Sequence, residues 1–421
     1  MKMSLMVKID KYVGIPLCFL LSVFHSLNKF LGFVKDDTNR QIRKAVFIEL
    51  SEMGSTVLAY SAIKKFKQFY PNTEAYFLIF KELEVSLKAF GYLPEKNILT
   101  IRSKNFFLLT WDTIKFISWA RRNNVDVIID LELFSRFTSL ITYLSGAPTR
   151  VGFYNFNMEG LYRGDFLTHK ITYNTNHHLG VGFLSMVYAL KAPKEEYPLG
   201  KRHISEDELE TPPVFTSQKA KQDLWKKLKE KNIKINEKSK IVIVSPTTKL
   251  LTLRKWPLTH YISLIRKMLK DENVYVVLEK TPSKLAVSEI KGELNALRSN
   301  DEVSFIIETI KNERCFAVEL TLRELIDFGN IADLFISNDG GATNFISASK
   351  VPIVAFFGPT PLKEYKPIGK KVTVLYSDFA CSPCIGTFNH KLSVCSNNVC
   401  LQVIKPEEAY KAVRKYLYNE A

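Results

Sequence analysis

From residue 43 onward the sequence alternates short apolar runs with longer stretches whose apolar residues recur at helical spacing. Runs such as 45–50 and 125–131 have the length of buried parallel strands, whereas 54–69 and 106–122 have the length of helices. Strands that are separated by helices of this size predict βαβ units in parallel sheets. The alternation therefore predicts an α/β protein built from Rossmann-like domains.

The pattern extends through both halves of the chain and is interrupted at 192–217, which is rich in proline and acidic residues. Further strands are predicted at 75–80, 98–101, 150–153, 241–244, 274–278 and 303–307, and further helices at 83–90, 134–145, 258–270, 284–297, 321–331 and 407–418. Because 421 residues exceed one ordinary core, we expect two domains. We assign them to 35–191 and 218–421, facing each other across a cleft, with 192–217 as the linker.

The stretch 334–357 reads as a strand, a glycine turn at 338–341, a helix at 342–350 and a second strand. A glycine turn that opens a helix leaves backbone N–H groups pointing outward at the carboxyl end of a sheet, where a diphosphate binds well. Two other loops at predicted strand ends add to this turn. Thr247 and Thr248 supply hydroxyls, and Arg254 and Lys255 supply cations before a helix that starts at a proline. Together the three elements predict a nucleotide-diphosphate site.

The formal net charge of +16 predicts anionic partners, such as a nucleotide, a phosphorylated lipid or a membrane surface. Much of the excess lies in 219–240, which we interpret as a solvated helix face and loop. Nucleic acid is not an expected partner, because aromatic residues are not interleaved with these lysines.

Residues 1–34 differ from the rest: 1–11 are basic, and 13–33 are apolar but broken by polar residues. The uninterrupted apolar part is short for a transmembrane span, and no small-residue cleavage site marks a signal peptide. The leucine and phenylalanine spacing suits a helix in the membrane interface, with Lys8, Lys11 and Lys29 near anionic headgroups. We predict a membrane-associating segment, with a true span as the alternative.

On these residues the chain resembles glycosyltransferase family 9, the ADP-heptose:lipopolysaccharide heptosyltransferases. The resemblance rests on 241–257, on 320–360 with its NDGG turn, and on 49–62 and 126–153. It implies a GT-B fold and metal-independent, inverting transfer of a sugar from a nucleotide-sugar, with no cofactor. It further implies ADP-heptose or a related donor and a lipid-linked or phosphorylated glycan acceptor of the lipopolysaccharide core. The expected location is the cytoplasmic face of the inner membrane.

Several positions match the family's donor site. The resemblance implies that Asp339, Gly340 and Gly341 form the turn at the sugar and diphosphate, and that Thr247 and Thr248 lie in the loop under the phosphates. It also implies that Arg254 replaces the usual lysine and that Ser51 is the serine of the first loop. Arginine gives a planar fork instead of a point charge, so we expect the same role with altered geometry.

Two positions depart from the family. Ser55 stands where the family's first loop carries its catalytic aspartate, and Asn344 stands where the donor turn is usually followed by a histidine. Inverting transfer needs a base near the attacking hydroxyl, and a lone serine is too weak. Glu52, in the same loop, is our first candidate and Glu132 the second. A helix-start carboxylate is the alternative for Glu52, and a DxD-like metal site is the alternative for the acidic pair that includes Glu132.

The polar stretch 158–178 is predicted as a loop that holds a phosphorylated or acidic acceptor through Arg163, His169, Lys170 and His177. A plain surface loop is the alternative.

A quartet of cysteines, Cys381, Cys384, Cys395 and Cys400, has one good zinc half-site and one looser one. Reduced thiols or a disulfide are preferred over zinc, so no metal is expected.

The sequence thus predicts a membrane-associated GT-B glycosyltransferase. Two alternatives stay open: a nucleotide-sugar-binding scaffold that lost catalysis with the aspartate, and a GT-B epimerase that acts on a nucleotide-sugar without an acceptor.

Overall fold

The structure is a computed structural model that describes residues 3–32, 41–193, 196–248, 252–280, 290–389 and 392–420. The chain divides into two compact units, Met1–Glu210 and Thr211–Ala421. Each unit is built on a parallel six-stranded sheet. The predicted α/β class is therefore confirmed.

The N-terminal unit has the strand order β3-β2-β1-β4-β5-β6. Its strands are β1 (Lys44–Ile48), β2 (Glu74–Phe80), β3 (Ile98–Ile101), β4 (Val127–Asp130), β5 (Thr149–Tyr154) and β6 (His169–Thr172). Its helices are α1 (Met3–Tyr12), α2 (Gly14–Phe30), α3 (Met53–Phe69), α4 (Val85–Lys88), α5 (Phe106–Arg122), α6 (Arg136–Leu144) and α7 (Leu179–Ala189). Alternate residues of β1 face opposite sides: Phe47 meets Phe66 of α3, while Val46 and Ile48 join a cluster that includes α5 and α6 residues.

The C-terminal unit has the order β12-β11-β10-β7-β8-β9. Its strands are β7 (Lys240–Ser245), β8 (Val274–Lys280), β9 (Cys315–Glu319), β10 (Leu334–Asn338), β11 (Ile353–Phe357) and β12 (Val372–Tyr376). Its helices are α8 (Gln218–Lys231), α9 (Leu258–Met268), α10 (Ile290–Ile310), α11 (Leu322–Phe328), α12 (Gly341–Ile346), α13 (Leu362–Tyr365), α14 (Val399–Gln402) and α15 (Pro406–Leu417).

The two sheets share one topology, in which the first strand of each unit lies beside the fourth. The chain leaves the first strand toward one edge of the sheet and returns through the fourth toward the other edge. Loops at the carboxyl ends of these two strands diverge, so an open crevice forms between them. In each unit this switch point is the place where a ligand site is expected.

One predicted strand is wrong. Residues 303–307 belong to α10, because Val303 and Ile306 follow helical spacing and both are buried against the sheet. The strand of this βαβ unit is β9, further along the chain, and its pairing with β8 buries Cys315. The first part of the predicted helix 284–297 lies outside the described residues.

The prediction that 158–178 is a loop is wrong at residues 169–172, which form β6. Residues of β6 pair in parallel with β5 at the edge of the sheet, with Val151 opposite His169. Short polar edge strands of this kind carry little apolar signal, which is why the sequence pattern misses β6. The pattern also misses α7 and β12.

Among the described helices, none has both the length and the apolar character needed to cross a membrane. Helix α2 is the most apolar part of the N-terminal segment, and it packs on the N-terminal unit through buried residues that include Cys18.

Candidate functional site

The switch point of the N-terminal unit is formed by the loop after β1 and the first residues after β4. The side chain of Glu132, just beyond β4, ties the two together. Its Oε1 accepts hydrogen bonds from the backbone N–H groups of Leu50 and Ser51, at 2.8 and 2.9 Å. Since Glu132 is only 8% exposed, this carboxylate fixes the backbone of the first loop from inside the protein.

Glu132 lies among other carboxyl groups. Burial, and then the neighbouring charges of Glu52 and Asp130, raise the pKa of Glu132 to about 7. A carboxyl group with a pKa near neutrality exchanges its proton at the pH where an enzyme works, as acid–base catalysis requires. The backbone here is also strained, because Phe134 has φ +59° in the left-handed region, which bulky residues avoid.

Glu52 lies at the start of α3 and is partly exposed. Its Oε2 accepts a hydrogen bond from the Ser55 hydroxyl at 3.3 Å, and its backbone N–H donates to Glu49 Oε1 at 3.2 Å. Ser55 is buried, whereas Ser51 is exposed on the same loop. The structure therefore brings the three predicted catalytic residues, Glu52, Ser55 and Glu132, to one switch point.

Asp130, the last residue of β4, is part of the core. It forms a fully buried ion pair with Arg163, whose Nη1 also donates to the Glu132 carbonyl oxygen at 3.3 Å. The alternative of a metal site that includes Asp130 does not fit this placement, since its carboxylate is occupied by a guanidinium. The same placement corrects the prediction for Arg163: this side chain is buried and does not line a surface for an acceptor.

The switch point of the C-terminal unit is held together by Asn338, the last residue of β10. Its Nδ2 donates to the Pro246 carbonyl at 2.8 Å, and its Oδ1 accepts from the Trp256 backbone N–H at 2.7 Å. One amide side chain thus connects the turn after β10, the loop after β7 that carries Thr247 and Thr248, and the loop that precedes α9.

Asp339 and Arg254 meet at this point. Arg254 Nε lies 3.2 Å from Asp339 Oδ2, and both side chains are largely buried. The contact is an ion pair without a hydrogen bond, because neither atom has a hydrogen-bond partner within the described part of the chain. Asn344 Oδ1 and Thr360 Oγ1 are likewise buried without a partner among the described residues. Buried polar atoms are normally satisfied, so this cluster has the character of a ligand site.

The glycine turn leaves room beside this cluster. A Cβ atom at Gly340 would meet nothing within 4 Å, and one at Gly341 would touch only the Phe345 ring. Gly340 is extended, so neither strain nor packing explains a glycine here. Helix α12 begins at Gly341 without a side-chain cap hydrogen bond among the described residues, and the first N–H groups of a helix have no partner within the helix itself. The helix is shorter than predicted and ends at Ile346.

The loop that carries Arg254 is firmly anchored. The Trp256 ring is fully buried and stacks on Phe356 with centroids 4.0 Å apart, and Asn398 Nδ2 donates to the carbonyls of Leu253 and Lys255. Lys255 forms an ion pair with Glu302 on α10. Of the two predicted cations, Arg254 is the one that the fold presents to the turn.

The sequence profile of glycosyltransferase family 9 (heptosyltransferase) matches residues 115–393, which is well over half of the chain. The chain belongs to glycosyltransferase family 9. This confirms the resemblance inferred from the sequence, and with it the assignment as a glycosyltransferase.

Relatives and solved structures of family 9 agree. Lipopolysaccharide heptosyltransferase 1 of Campylobacter coli is 23% identical over 90% of this chain and its own entire length. The structure of E. coli ADP-heptose lps heptosyltransferase II has a TM-score of 0.65 at 15% identity, with 89% of this chain and 99% of that chain covered. The family 9 glycosyl transferase from Veillonella parvula has a TM-score of 0.67 at 14% identity, with 90% and 98% covered. These similarities confirm the GT-B fold.

The other predicted acceptor residues of this family 9 protein remain at the surface of the N-terminal unit. His177 is exposed, and His169 and Lys170 lie on β6 and are partly exposed. Lys170 forms an ion pair with Asp165, and its Nζ lies 4.4 Å from the centroid of the Tyr154 ring. These three residues form a polar edge, separate from the buried Arg163.

The cysteine quartet of the family 9 chain lines one pocket of about 280 Å³ in the C-terminal unit. All six cysteines of the chain are free thiols. Within the described residues, no group of three or more histidine, cysteine or acidic side chains has the geometry to hold a metal ion. Burial, and then the nearby thiols, raise the pKa of Cys400. The quartet therefore forms a cluster of reduced thiols in this structure.

Two polar residues at the C-terminal switch point are missing from the sequence-based set of site residues. Asn338 lies in the NDGG turn, and Thr360 lies in the Gly-Pro-Thr sequence that follows β11. The role of Asn338 depends on its hydrogen bond to the Pro246 carbonyl, and the role of Thr360 depends on the burial of its side chain. Their positions at or shortly after the ends of neighbouring strands are the signal that could have identified them.

Proposed function

We propose that this family 9 glycosyltransferase transfers a heptose or related sugar, with inversion, from a nucleotide-diphospho-sugar to an acceptor of the lipopolysaccharide core or another surface glycan. ADP-heptose is the proposed donor. The observation that carries this proposal is the buried pair of Arg254 and Asp339 at the switch point. The C-terminal unit holds further buried polar atoms that have no hydrogen-bond partner among the described residues. An E. coli heptosyltransferase with ADP-2-deoxy-2-fluoro heptose, at a TM-score of 0.58, has the same fold.

The chemistry of the cluster divides between the two ends of such a donor. Arg254 brings the positive charge that a diphosphate requires, and the first N–H groups of α12 add donors. Asp339 Oδ2 and Asn344 Oδ1 are acceptors, and acceptors need hydroxyl groups rather than phosphate oxygens. We therefore assign Arg254, with Thr247, Thr248 and the turn amides, to the diphosphate. We assign Asp339 and Asn344 to the sugar.

In the reaction the acceptor oxygen attacks the anomeric carbon of the sugar, and the bond between that carbon and the diphosphate oxygen breaks. The leaving diphosphate takes the electron pair, and Arg254 stabilises the negative charge that develops on it. The proton of the acceptor hydroxyl must pass to a base. We assign this role to Glu52, which is partly exposed, and we assign to Glu132 the positioning of the loop through Leu50 and Ser51. We propose that Ser51 contacts the donor, as the family resemblance implies, and that Ser55 holds Glu52 through its hydroxyl.

We also propose that the enzyme works at the cytoplasmic face of the inner membrane, with the N-terminal segment in contact with the lipid surface. His169, Lys170 and His177 are proposed to bind the phosphorylated or lipid-linked acceptor. The basic net charge of +16 supports contact with both of these anionic partners.

The first test is a thermal-shift screen of the purified chain against a panel of nucleotide-sugars, followed by a transfer assay with core-oligosaccharide acceptors. We expect ADP-heptose to stabilise the protein, and the product to carry one added sugar with release of ADP. Thermal stabilisation by the donor without sugar transfer would instead support the scaffold that Ser55 suggests. A changed sugar in the absence of an acceptor would support an epimerase.

A further inference from the structure

Helix α2 packs on the N-terminal unit with its polar face inward. The buried residues are Gly14, Cys18, Ser22 and His25, which follow helical spacing. A Cβ at Gly14 would lie 2.7 Å from the Cβ of Arg136, so only glycine allows this close approach. Small and polar residues therefore attach this helix to the unit, the reverse of an ordinary surface helix.

Specific hydrogen bonds and ring contacts hold this polar face in place. Ser22 Oγ accepts from the Asp165 backbone N–H at 2.7 Å, and the His25 ring meets the Tyr143 ring edge-on at 5.3 Å. Just before α2, Asp10 of α1 accepts from the Phe137 backbone N–H at 2.9 Å. The helix is therefore a fixed part of the unit.

The outward face of α2 is apolar. Six large side chains along it are between 44% and 88% exposed: Phe19, Leu20, Val23, Phe24, Leu27 and Phe30. A contiguous apolar surface of this kind marks a binding face for a membrane or another protein.

A second exposed apolar stripe runs along the first half of α5. Phe107, Trp111 and Ile114 follow the spacing of one helix face and are 74%, 50% and 55% exposed, with Phe106 beside them. The inner face of the same helix buries Leu109 and Phe116 in the core. Helix α5 is thus apolar on both sides.

The two helices that carry these apolar faces, α2 and α5, both contact α6. Helix α2 contacts α6 through Arg136 and Tyr143, and Arg121 of α5 donates to the Leu144 carbonyl at 2.8 Å. Met6 of α1 packs on the same core cluster as α5. We call the outward faces of α2 and α5 together the α2–α5 surface.

The charges around this surface are basic. Residues 3–32 contain Lys8, Lys11 and Lys29 but only one acidic residue, Asp10, which contacts Arg136. Residues 104–122 likewise contain four basic residues and one acidic residue, Asp112, and that carboxylate is paired with Arg102. Aromatic and aliphatic side chains bordered by lysine and arginine suit an anionic lipid surface.

We propose that the α2–α5 surface binds an anionic phospholipid bilayer as one rigid face, and that it fixes the orientation of the N-terminal unit on the membrane. The proposal deepens the membrane location proposed above and adds α5, which lies outside the N-terminal segment. It is independent of the donor site, since none of its residues belongs to the C-terminal unit. Because α2 is clamped by its polar face, the surface acts as part of the folded domain rather than as a tether.

The test is co-sedimentation of the full chain with sucrose-loaded vesicles that contain phosphatidylglycerol, compared with vesicles of phosphatidylcholine alone. Two double variants remove each half of the surface: Leu20→Glu with Phe24→Glu in α2, and Phe107→Glu with Trp111→Glu in α5. The matched control is Phe215→Glu with Ile233→Glu, which adds the same charge at side chains that are 84% and 86% exposed in the C-terminal unit.

We expect the wild type and the control to bind the anionic vesicles. Each surface variant should lower the partition coefficient about tenfold or more, because large apolar side chains drive insertion into the interface. Quenching of tryptophan emission by brominated lipid should weaken in Trp111→Phe. Unchanged melting temperatures of all variants, and an unchanged thermal shift with ADP-heptose, separate this result from a failure of folding or of the proposed donor site.

Two outcomes would overturn the proposal. If the α5 variant binds vesicles as well as the control does, α5 is not part of the lipid surface. If the wild type ignores all vesicles but sediments as an oligomer that the surface variants dissociate, the α2–α5 surface is an interface between copies of the chain.

Discussion

The loop after β1 in the N-terminal unit and the turn after β10 in the C-terminal unit lie at equivalent switch points of their sheets, yet their polar groups are satisfied differently. In the N-terminal unit, buried Glu132 accepts two backbone hydrogen bonds and lies beside other carboxyl groups. In the C-terminal unit, Arg254 Nε and Asp339 Oδ2 are in contact, but neither atom has a hydrogen-bond partner in the part of the chain that the structure describes.

The difference separates two tasks. A carboxyl group whose pKa is raised by neighbouring carboxyl groups favours proton transfer, because small changes in its surroundings protonate or deprotonate it. A cation next to acceptors without protein partners favours a ligand that carries both phosphate and hydroxyl groups. We therefore propose that one topology serves acid–base chemistry in the N-terminal unit and donor binding in the C-terminal unit.

Glu52→Gln is the strongest test of the first half of this comparison. We expect kcat to fall about 10²–10⁴-fold, because the amide cannot take the proton of the acceptor hydroxyl. The affinity for ADP-heptose, measured by calorimetry, should stay within a factor of two or so of the wild type, since uniform binding is untouched. Exposed Glu95→Gln is the surface control. If Glu132→Gln abolishes turnover and Glu52→Gln does not, the base is Glu132.

Arg254→Ala tests the second half. We expect kcat/KM to fall about 100-fold or more, because the leaving diphosphate loses its guanidinium. Arg254→Lys should recover part of the loss, since the charge returns without the planar fork. Lys255→Ala, one residue away and paired with Glu302, is the matched control and should have a small effect on donor affinity. Equal losses in the two alanine variants would show that the loop, rather than the guanidinium, carries the effect.

The comparison also explains what the sequence can predict. Alternating apolar runs predict parallel βαβ units, and such units follow few topologies. Residues 303–307 show the limit: an apolar run beside a predicted helix has the composition of either a strand or a helix. Only the pairing of β9 with β8 decides, and that pairing is tertiary.

The sequence places candidate residues at a switch point where they lie at or just beyond the end of a strand, as Asp339 and Glu132 do. Contacts made by side chains across the fold were not predictable. Arg163 reaches Asp130 across 33 positions of sequence, and the Glu132 carboxylate reaches the Leu50 amide across 82. A basic residue in a polar stretch looks like a surface cation until its buried partner is known, which is why Arg163 was misassigned to the acceptor.

The raised pKa of Glu132 should also affect the free energy of unfolding. Its folded-state pKa of about 7 lies above the ordinary value of 4.5, so the folded protein holds a proton that the unfolded chain releases. The stabilisation from this proton is present at low pH and is lost as pH rises from about 4.5 to about 7. Glu132→Gln keeps an acceptor for the Leu50 and Ser51 amides but removes the titration.

We therefore expect wild-type stability to fall relative to Glu132→Gln between pH 5 and pH 8, by about 1–3 kcal/mol, as measured by chemical denaturation. Melting curves of Glu95→Gln over the same range provide the control. Parallel pH profiles of wild type and Glu132→Gln would mean that the carboxyl groups do not share this environment.

The smallest expected effect concerns the sugar end of the donor site. Asn344 Oδ1 is buried without a partner among the described residues, and it accepts rather than donates. We expect Asn344→Ala to weaken binding of ADP-heptose about tenfold, because a buried sugar hydroxyl loses its partner. Binding of ADP alone should change little, since the diphosphate is assigned to Arg254. Calorimetry with both ligands makes the comparison. An equal loss of affinity for ADP would assign Asn344 to the phosphate end instead. The family's usual histidine would then serve there as a cation, and Asn344→His would strengthen the binding of both ligands.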